Sequence, residues 1–262
     1  MNTDDFRENL LSCFKDFEHL LATDTGDWVV KGFIDIYRNI YTISVDTKVV
    51  SKIIELMLFP IISRFAAEHG YRLVLSEYQN HYPDISLIAP DETKIAIDLK
   101  STYRRGTETV SGFTLGAFTG YFRRRRSTKN ITFPYGRYAK HFVLGIIYSR
   151  SDESIDERRV YTLDELRDIV SVVKDFTFLL HEKWQIASDR PGSGNTKNIG
   201  SIKSIRALVE GAGPFAPHGE EAFDDYWMNY LTQDMAQAID SEIPYRNLEE
   251  YWQWRERGSR KR

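Results

Sequence analysis

The sequence predicts an α/β fold, and three observations support this class. Apolar residues recur near helical spacing over residues 4–22 and again after residue 46, as in amphipathic helices. Residues 28–44 and 142–148 are rich in the β-branched and aromatic residues that favour strands. The 262 residues are 42% hydrophobic and 13% aromatic, which suffices for one sizeable core. We therefore expect one compact α/β unit.

Helical and extended patterns succeed one another along the chain. Residues 4–22 predict one helix, and residues 28–44 predict strands. A second helix should begin at the capping pair Asp46-Thr47, be kinked or divided at Pro60, and end at Gly70. Later elements are a helix over residues 163–173, a strand over residues 176–180, and aromatic-rich helices after residue 220.

Composition limits the classes of function. No stretch of 18 or more apolar residues exists, so no membrane span is expected. The N-terminus is acidic and lacks the apolar region of a secretory signal. Cys13 is the only cysteine, which excludes an intramolecular disulfide and a multi-cysteine zinc site. A single cysteine is typical of a reducing compartment, so we expect a cytoplasmic protein.

The most informative segment is a predicted β-hairpin that carries Asp84, Asp98 and Lys100. Residues 85–88 and 94–100 predict its strands, and the Pro-Asp-Glu sequence between them is typical of a turn. A turn centred on that aspartate places Asp84 opposite Asp98, where like charges repel unless a divalent cation lies between them. Because strand side chains alternate, Asp98 and Lys100 share one face and the apolar residues share the other.

This hairpin predicts two carboxylates for a metal and a lysine for a phosphate. The alternative is an ordinary strand pair with a solvated polar face, because both short motifs also occur by chance. Glu55 adds a third carboxylate within the apolar stretch 53–58, where an unpaired charge is costly. The alternative for Glu55 is the polar face of an amphipathic helix, shared with Lys48 and Lys52.

Charge is distributed unevenly around the net value of −3. From Lys100 to Arg150 there are eleven Lys and Arg residues and one acid, which suggests a polyanionic substrate. The run Arg123–Arg126 is by itself equally typical of a solvated loop. Residues 192–200 read Gly-Ser-Gly-Asn-Thr-Lys-Asn-Ile-Gly. Their glycines let the backbone approach a ligand and an asparagine can contact adenine, although a flexible surface loop has a similar composition.

Longer strings resemble the EcoRV-like type II restriction endonucleases of the PD-(D/E)xK nuclease superfamily. They follow the family order from about residue 45 to the C-terminal region, whereas the first 28 residues show no obvious match. The strings are residues 46–49, 55–56, 79–84, 94–98, 113–116, 128–131, 192–196, 198–201 and 225–227. The resemblance implies a mixed central β-sheet flanked by helices, with the PD-(D/E)xK core.

The resemblance also implies roles for single residues. Asp84, Asp98 and the accessory acid Glu55 would hold Mg²⁺, and Lys100 would stabilise charge at the phosphate or orient the attacking water. A loop would read bases in the major groove with Gly192, Ser193, Gly194, Asn195 and Thr196. A second loop, with Gln79 and Asn80, would enter the minor groove. Backbone phosphates would be held by Thr47, Lys48, Thr102, Lys129 and Lys197.

The implied partner is double-stranded DNA, bound by a homodimer at a palindromic site, since a two-fold protein fits a two-fold sequence. The implied target is GATATC, cut to blunt ends. Within one endonuclease domain, residues 1–262, we expect an N-terminal helix and dimerisation region over residues 1–44. The catalytic core should cover residues 45–180, and the recognition loop and C-terminal helices residues 181–262. Departures from the family pattern, which bear on flanking-sequence preference, are Tyr78, Lys197 and Arg123–Arg126.

Two other classes of function share part of these features. A non-catalytic sequence-specific DNA-binding protein would use the basic segment and the asparagine loop without needing paired carboxylates. A structure-specific nuclease of the same superfamily would keep the acids without needing a base-reading loop. A plasmid digest with Mg²⁺ and with EDTA separates the three classes.

Overall fold

The computed structural model describes residues 3–78, 80–152, 156–192 and 196–259. Its helices are α1 (Thr3–Ser12), α2 (Phe14–Leu21), α3 (Thr47–Glu68), α4 (Lys183–Ile186), α5 (Ile205–Glu210), α6 (Gly219–Asn229), α7 (Gln233–Ala238) and α8 (Leu248–Ser259). Its strands are β1 (Gly32–Ile34), β2 (Ile40–Thr42), β3 (Arg72–Leu75), β4 (Ile85–Ile88), β5 (Lys94–Arg105), β6 (Thr109–Val110), β7 (Thr114–Ala117), β8 (Tyr138–Arg150), β9 (Val160–Tyr161), β10 (Val173–Glu182), β11 (Ala187–Pro191) and β12 (Asn198–Ser201). Short 3₁₀ helices lie at Tyr135–Arg137 and Leu163–Asp168.

The central sheet has the strand order β10-β8-β5-β4-β3, and β6 pairs with the far end of β5. Strands β5 and β8 are parallel, whereas the other neighbours in this order are antiparallel. The sheet is therefore mixed, and helices cover it. The predicted fold class is confirmed.

Apolar side chains cover both faces of this sheet. Ile95 and Ile97 point to a core built with α1, α2 and α3, which contribute Phe6 and Phe17 among others. The intervening Ala96 points to a second core, rich in aromatic residues of α6 and α8. A sheet covered on both faces buries even its polar side chains, which matters for the charged residues of β5.

Helix α3 matches its predicted ends but not its predicted interior. Asp46 caps it, since Oδ1 accepts from the backbone N–H groups of Lys48 and Val49 at 2.8 and 3.3 Å. Gly70, with φ +72°, follows its last residues, as predicted. The helix is not divided at Pro60. The buried side chains of Leu58, Ile61 and Ile62 anchor the turns on both sides of the missing hydrogen bond.

Two other predicted helices were wrong. Residues 4–22 form two helices that meet at Cys13, where the Ser12 hydroxyl donates to the carbonyl of Asn9 at 2.6 Å and competes with the backbone ladder. Residues 163–173 form only a six-residue 3₁₀ helix. The β-branched run that follows it leads into β10, where Val173 pairs with Arg150 of β8. The predicted strand over residues 176–180 is part of β10 and is confirmed.

Two small sheets complete the fold. One has the order β1-β2-β9, and the other has the order β11-β12-β7. In the second, Gly192 and Gly200 approach closely, since a Cβ on Gly200 would lie 2.7 Å from Cα of Gly192. No helix in the described ranges is long and apolar enough to cross a membrane.

Candidate active site

The hairpin of β4 and β5 sets the geometry of the site. Glu92 adopts a positive φ of 64° in the turn, and its backbone N–H donates to the carbonyl of Ala89 at 2.9 Å. This turn pairs Ile85 with Ile97. The next residues outward are Asp84 and Asp98, so the predicted opposition of the two aspartates is confirmed.

A lysine ammonium lies between the two carboxylates. Lys100 Nζ is 2.8 Å from Oδ2 of Asp98 and 3.7 Å from Oδ2 of Asp84. The backbone N–H of Leu99 also donates to Oδ2 of Asp84 at 2.7 Å. The mutual repulsion of the aspartates is therefore offset by one cation and one backbone dipole.

The charged face of β5 is not a solvated hairpin surface. The Asp98 side chain is 6% exposed, and those of Asp84 and Lys100 are 26% and 25% exposed. Charged groups are rarely held this far from water unless they are paired or coordinated. The ordinary-hairpin alternative does not account for this burial.

Burial and the neighbouring charge change the protonation of the site. Burial, followed by the negative charge of Asp98, raises the pKa of Asp84 to about 7, although Lys100 opposes the shift. Burial by itself would lower the pKa of Lys100, but the carboxylates of Asp98 and Asp84 outweigh it and raise that pKa. At neutral pH the ammonium is therefore charged, and Asp84 is partly protonated.

Glu55 lies on α3 at the wall of an open cavity that reaches Asp84. Its carboxylate accepts from Lys52 Nζ at 2.7 Å, so the predicted polar-face pairing with Lys52 is present. The cavity measures about 470 Å³ and is lined by Lys52, Glu55, Phe59, Leu75, Ser76, Glu77, Tyr78 and Asp84. Across the described ranges, no three His, Cys, Asp or Glu side chains are arranged to hold a metal ion. The carboxylate pair is the part of the site that is already assembled.

The donor set of this pair fits a hard divalent cation. Two carboxylates face a common position, and the Lys100 ammonium stands there as a cation between them. Mg²⁺ is usually held by one or two carboxylates, with water and substrate phosphate completing its coordination. The adjoining cavity leaves room for such ligands beside Asp84.

The other predicted residues are distributed over several surfaces. Thr47 and exposed Lys48 form the first turn of α3, and Lys197 is exposed just before β12. Asn80 is exposed in the turn before β4. Thr102 is only 4% exposed, so its side chain is closed to a DNA backbone in this conformation.

Part of the predicted base-reading loops lies outside the described residues. These positions are Gln79, Ser193, Gly194 and Asn195. The described ends of the predicted major-groove loop, Gly192 and Thr196, place that loop between β11 and β12.

The arginine run divides into inward and outward members. Arg123 donates to the carbonyl of Trp227 at 3.2 Å, and Arg125 forms a 2.7 Å salt bridge with Asp224. Arg124 and Arg126 are exposed. An open cavity of about 480 Å³ is lined by Ala117, Thr119, Gly120, Tyr121, Arg123, Arg124, Ser127, Lys129 and Asn130. Arg124 and Lys129 thus share one basic recess.

A polar cluster behind the carboxylates was missed from the sequence. The hydroxyl of Tyr82 lies 2.9 Å from Nδ1 of His141, whose ring stacks on Tyr135 at 3.8 Å between centroids. Lys183 Nζ lies 4.1 Å from the centroid of the Tyr82 ring. Lys183 follows a glutamate in a short polar stretch, a local pattern typical of an exposed surface, so no signal in the sequence marked it.

A mixed sheet that holds one aspartate directly before a strand, and an aspartate and a lysine within the adjacent strand, is the arrangement of the PD-(D/E)xK nucleases. The family described as Restriction endonuclease EcoRV matches residues 24–256 of the chain. The Type II restriction enzyme EcoRV of Escherichia coli is 39% identical over 251 residues, which cover 95% of this chain and 99% of that relative. The chain therefore belongs to the EcoRV family of restriction endonucleases, and the prediction that it is an enzyme of this kind is confirmed.

The raised pKa of Asp84 predicts a pH-dependent stability of the metal-free protein. A carboxyl with a raised folded-state pKa stabilises the fold fully below its unfolded pKa, and this contribution is lost as pH rises through about 7. We expect the free energy of unfolding to fall by on the order of 2–3 kcal/mol between pH 5 and pH 8 from this group. Asp84→Asn should remove that fall, as measured by urea unfolding in EDTA.

Asp35→Asn is a suitable control. Hydrogen bonds from Asn39, Tyr37 and Tyr41 lower the pKa of the half-buried Asp35, so its contribution is constant between pH 5 and pH 8. Its loss should shift the stability curve without changing its slope. An unchanged slope in Asp84→Asn would show that Asp84 does not titrate in this range.

Proposed function

We propose that the protein is a type II restriction endonuclease that hydrolyses phosphodiester bonds of double-stranded DNA with Mg²⁺. Asp84 and Asp98 hold the metal, and Lys100 acts at the phosphate. The target is the palindrome GATATC, cut to blunt ends by a homodimer, as the resemblance of the recognition segment implies. Its single cysteine suits the reducing cytoplasm. The observation that carries the catalytic part is the convergence of two opposed carboxylates on one half-buried ammonium.

The residues of the site divide the work of hydrolysis. When bound, Mg²⁺ supplies an activated water and neutralises negative charge on the phosphoryl group. Asp84 and Asp98 fix its position, because the hairpin register and the Leu99 N–H hold their carboxylates in place. Lys100 holds its ammonium beside the two carboxylates, where it would offset the negative charge that develops on the phosphate. Glu55, on the cavity wall and paired with Lys52, would be the accessory acid of the metal site, as the resemblance implies.

The same geometry separates this proposal from its alternatives. A DNA-binding protein without catalysis has no use for a buried and a half-buried aspartate held together, which cost stability unless a metal is bound. A structure-specific nuclease has no use for a glycine-rich hairpin end where Gly192 and Gly200 bring two strands into contact. Such close backbone approach suits a loop that enters a groove of DNA.

A homodimer is supported by the small sheet β1-β2-β9. Its hairpin exposes Phe33, Ile34, Ile36 and Tyr37, and Ile36 is 88% exposed. A cluster of exposed large apolar side chains marks an interaction surface more often than single ones do. A second copy of the chain is the partner that a palindromic site requires.

The first prediction from this proposal concerns catalysis. Asp98→Asn and Lys100→Met should each lower the cleavage rate by at least about 100-fold, because each removes charge aimed at the metal or the phosphate. Lys94→Met is the matched control, since Lys94 lies on the same face of β5, near the turn, and pairs with Glu92. Plasmid digestion with Mg²⁺ should give discrete fragments, EDTA should abolish them, and sequenced ends should be blunt within GATATC.

A smear of fragments would instead indicate a nuclease without sequence specificity. Binding without cleavage under all metal conditions would support the non-catalytic alternative. Full activity of either charge-removal variant would exclude that residue from the mechanism.

The second prediction concerns the basic recess. Lys129→Gln and Arg124→Gln should each make the slope of log K against log salt shallower by roughly 0.9, because each loses one phosphate contact. Arg126→Gln is the control, an exposed arginine of the same run that is not among the described residues lining the recess. Fluorescence anisotropy at several salt concentrations measures the slope. An equal change in all three variants would indicate a diffuse charge effect rather than a defined contact.

The third prediction concerns assembly. Ile36→Asp should shift the dimer towards monomer, since it places a charge in the exposed apolar cluster of the small sheet. Ile239→Asp is the control. Ile239 is also an exposed isoleucine, at 63%, but it follows α7 and is not part of that sheet. Sedimentation velocity at micromolar concentration measures both. A monomeric wild-type protein would overturn the homodimer.

A further inference from the structure

Lys183 is the most deeply buried lysine beside the active site. Lys183 is the first residue of the short helix α4, and it is 2% exposed. Its ammonium lies 4.1 Å from the ring centroid of Tyr82 and 5.5 Å from that of Tyr135. Tyrosine faces attract a cation but replace only part of its hydration.

The carboxylates near Lys183 pair with other cations. Glu182 binds Lys140 at 2.8 Å, and Asp98 binds Lys100 at 2.8 Å. Asp224 binds Arg125 at 2.7 Å. A buried ammonium without a close carboxylate destabilises a fold, since its desolvation is not offset. The fold therefore keeps Lys183 at a cost in stability.

Lys183 packs against the segment that leads to Asp84, and its charge interacts with that of Asp98. Tyr82, which it covers, is joined to Asp84 through Pro83, and Tyr82 shares its core with Ala96 on the Asp98 face of β5. Burial lowers the pKa of Lys183 to about 8, and the charge of Asp98 opposes that shift. At pH 7.5 the ammonium is mainly charged and its field reaches Asp98.

The formal charges around the site then balance. With both aspartates ionised, the two negative charges of Asp84 and Asp98 are matched by the positive charges of Lys100 and Lys183. Glu55 is already paired with Lys52 at 2.7 Å. An incoming divalent cation thus meets a site with no net charge, until a DNA phosphate adds a negative one.

We propose that Lys183 is a buried counter-charge that keeps the divalent-cation affinity of the Asp84–Asp98 pair low in the absence of DNA. Metal binding is thereby linked to the arrival of a phosphate. Lys183 lies over the Tyr82 ring and would touch neither substrate nor metal, so it is a positioning residue that acts through the field of the site. This inference rests on the proposed metal site.

The test measures Mn²⁺ binding to the DNA-free protein at pH 7.5 from the electron paramagnetic resonance signal of free Mn²⁺. Lys183→Met should bind Mn²⁺ about tenfold more tightly than wild type, because one repelling charge is removed. Lys183→Arg should bind it like wild type. Lys140→Met is the matched control, since it removes a cation from the neighbouring strand whose charge already pairs with Glu182.

A second readout separates this role from a structural one. The melting temperature of Lys183→Met should equal or exceed that of wild type, because an uncompensated buried charge is gone. An uncleavable duplex should raise the Mn²⁺ affinity of wild type more than that of Lys183→Met, as linkage requires.

Each contrary result has a distinct meaning. If Lys183→Met binds Mn²⁺ no more tightly while Asp98→Asn loses binding, the counter-charge role is wrong and the metal site stands. If Asp98→Asn binds Mn²⁺ like wild type, the proposed metal site itself is wrong. If Lys183→Met and Lys183→Gln both melt well below wild type, the ammonium supports the fold and the proposal is overturned.

Discussion

The opposition of Asp84 and Asp98 across one hairpin is the constraint on which the rest of the structure depends. Two carboxylates at adjacent strand positions repel each other, and the pairing of Ile85 with Ile97 prevents their separation. The ammonium of Lys100 makes the arrangement tolerable without a metal, at 2.8 and 3.7 Å from the two side chains. A site built this way is ready for a stronger cation, because the protein has already brought its ligands together.

The layered architecture makes that constraint more severe. Because cores cover both faces of the central sheet, the charged face of β5 is only partly exposed to water, and Asp98 is buried. Electrostatic interactions are stronger there, which favours catalysis, but each unneutralised charge costs more stability. The raised pKa of Asp84 is the direct sign of this tension. Stability and activity therefore oppose each other at the same few side chains.

Local patterns in the sequence predicted the features that neighbouring residues along the chain determine. Turn chemistry and strand alternation gave the hairpin register, and a capping aspartate gave the start of α3. Tertiary packing decided the rest, since α3 continues past Pro60 and residues 169–173 lead into a strand rather than a helix. The burial of Asp98 and the position of Lys183 depend on cores assembled from distant segments. No spacing within the chain encodes such neighbours, so the sequence located the carboxylates but not the cation behind them.

A continuous series of contacts joins the β11–β12 strand pair, which flanks the glycine-rich segment, to the two carboxylates. The carbonyl of Lys197, beside the glycine-rich segment, accepts from the backbone N–H of Phe118 at 3.0 Å, immediately after β7. Three residues further on, Tyr121 stacks on Tyr82 at 5.4 Å between centroids, and Tyr82 precedes the Pro83-Asp84 pair. In the proposed function, a loop bound to DNA would bear on the Asp84 end of the hairpin through these packed side chains. Contacts in series provide a physical route between the two regions but do not give the size of their energetic coupling. A double-mutant cycle between Lys197 and Tyr121, read out as cleavage rate, would measure that coupling energy.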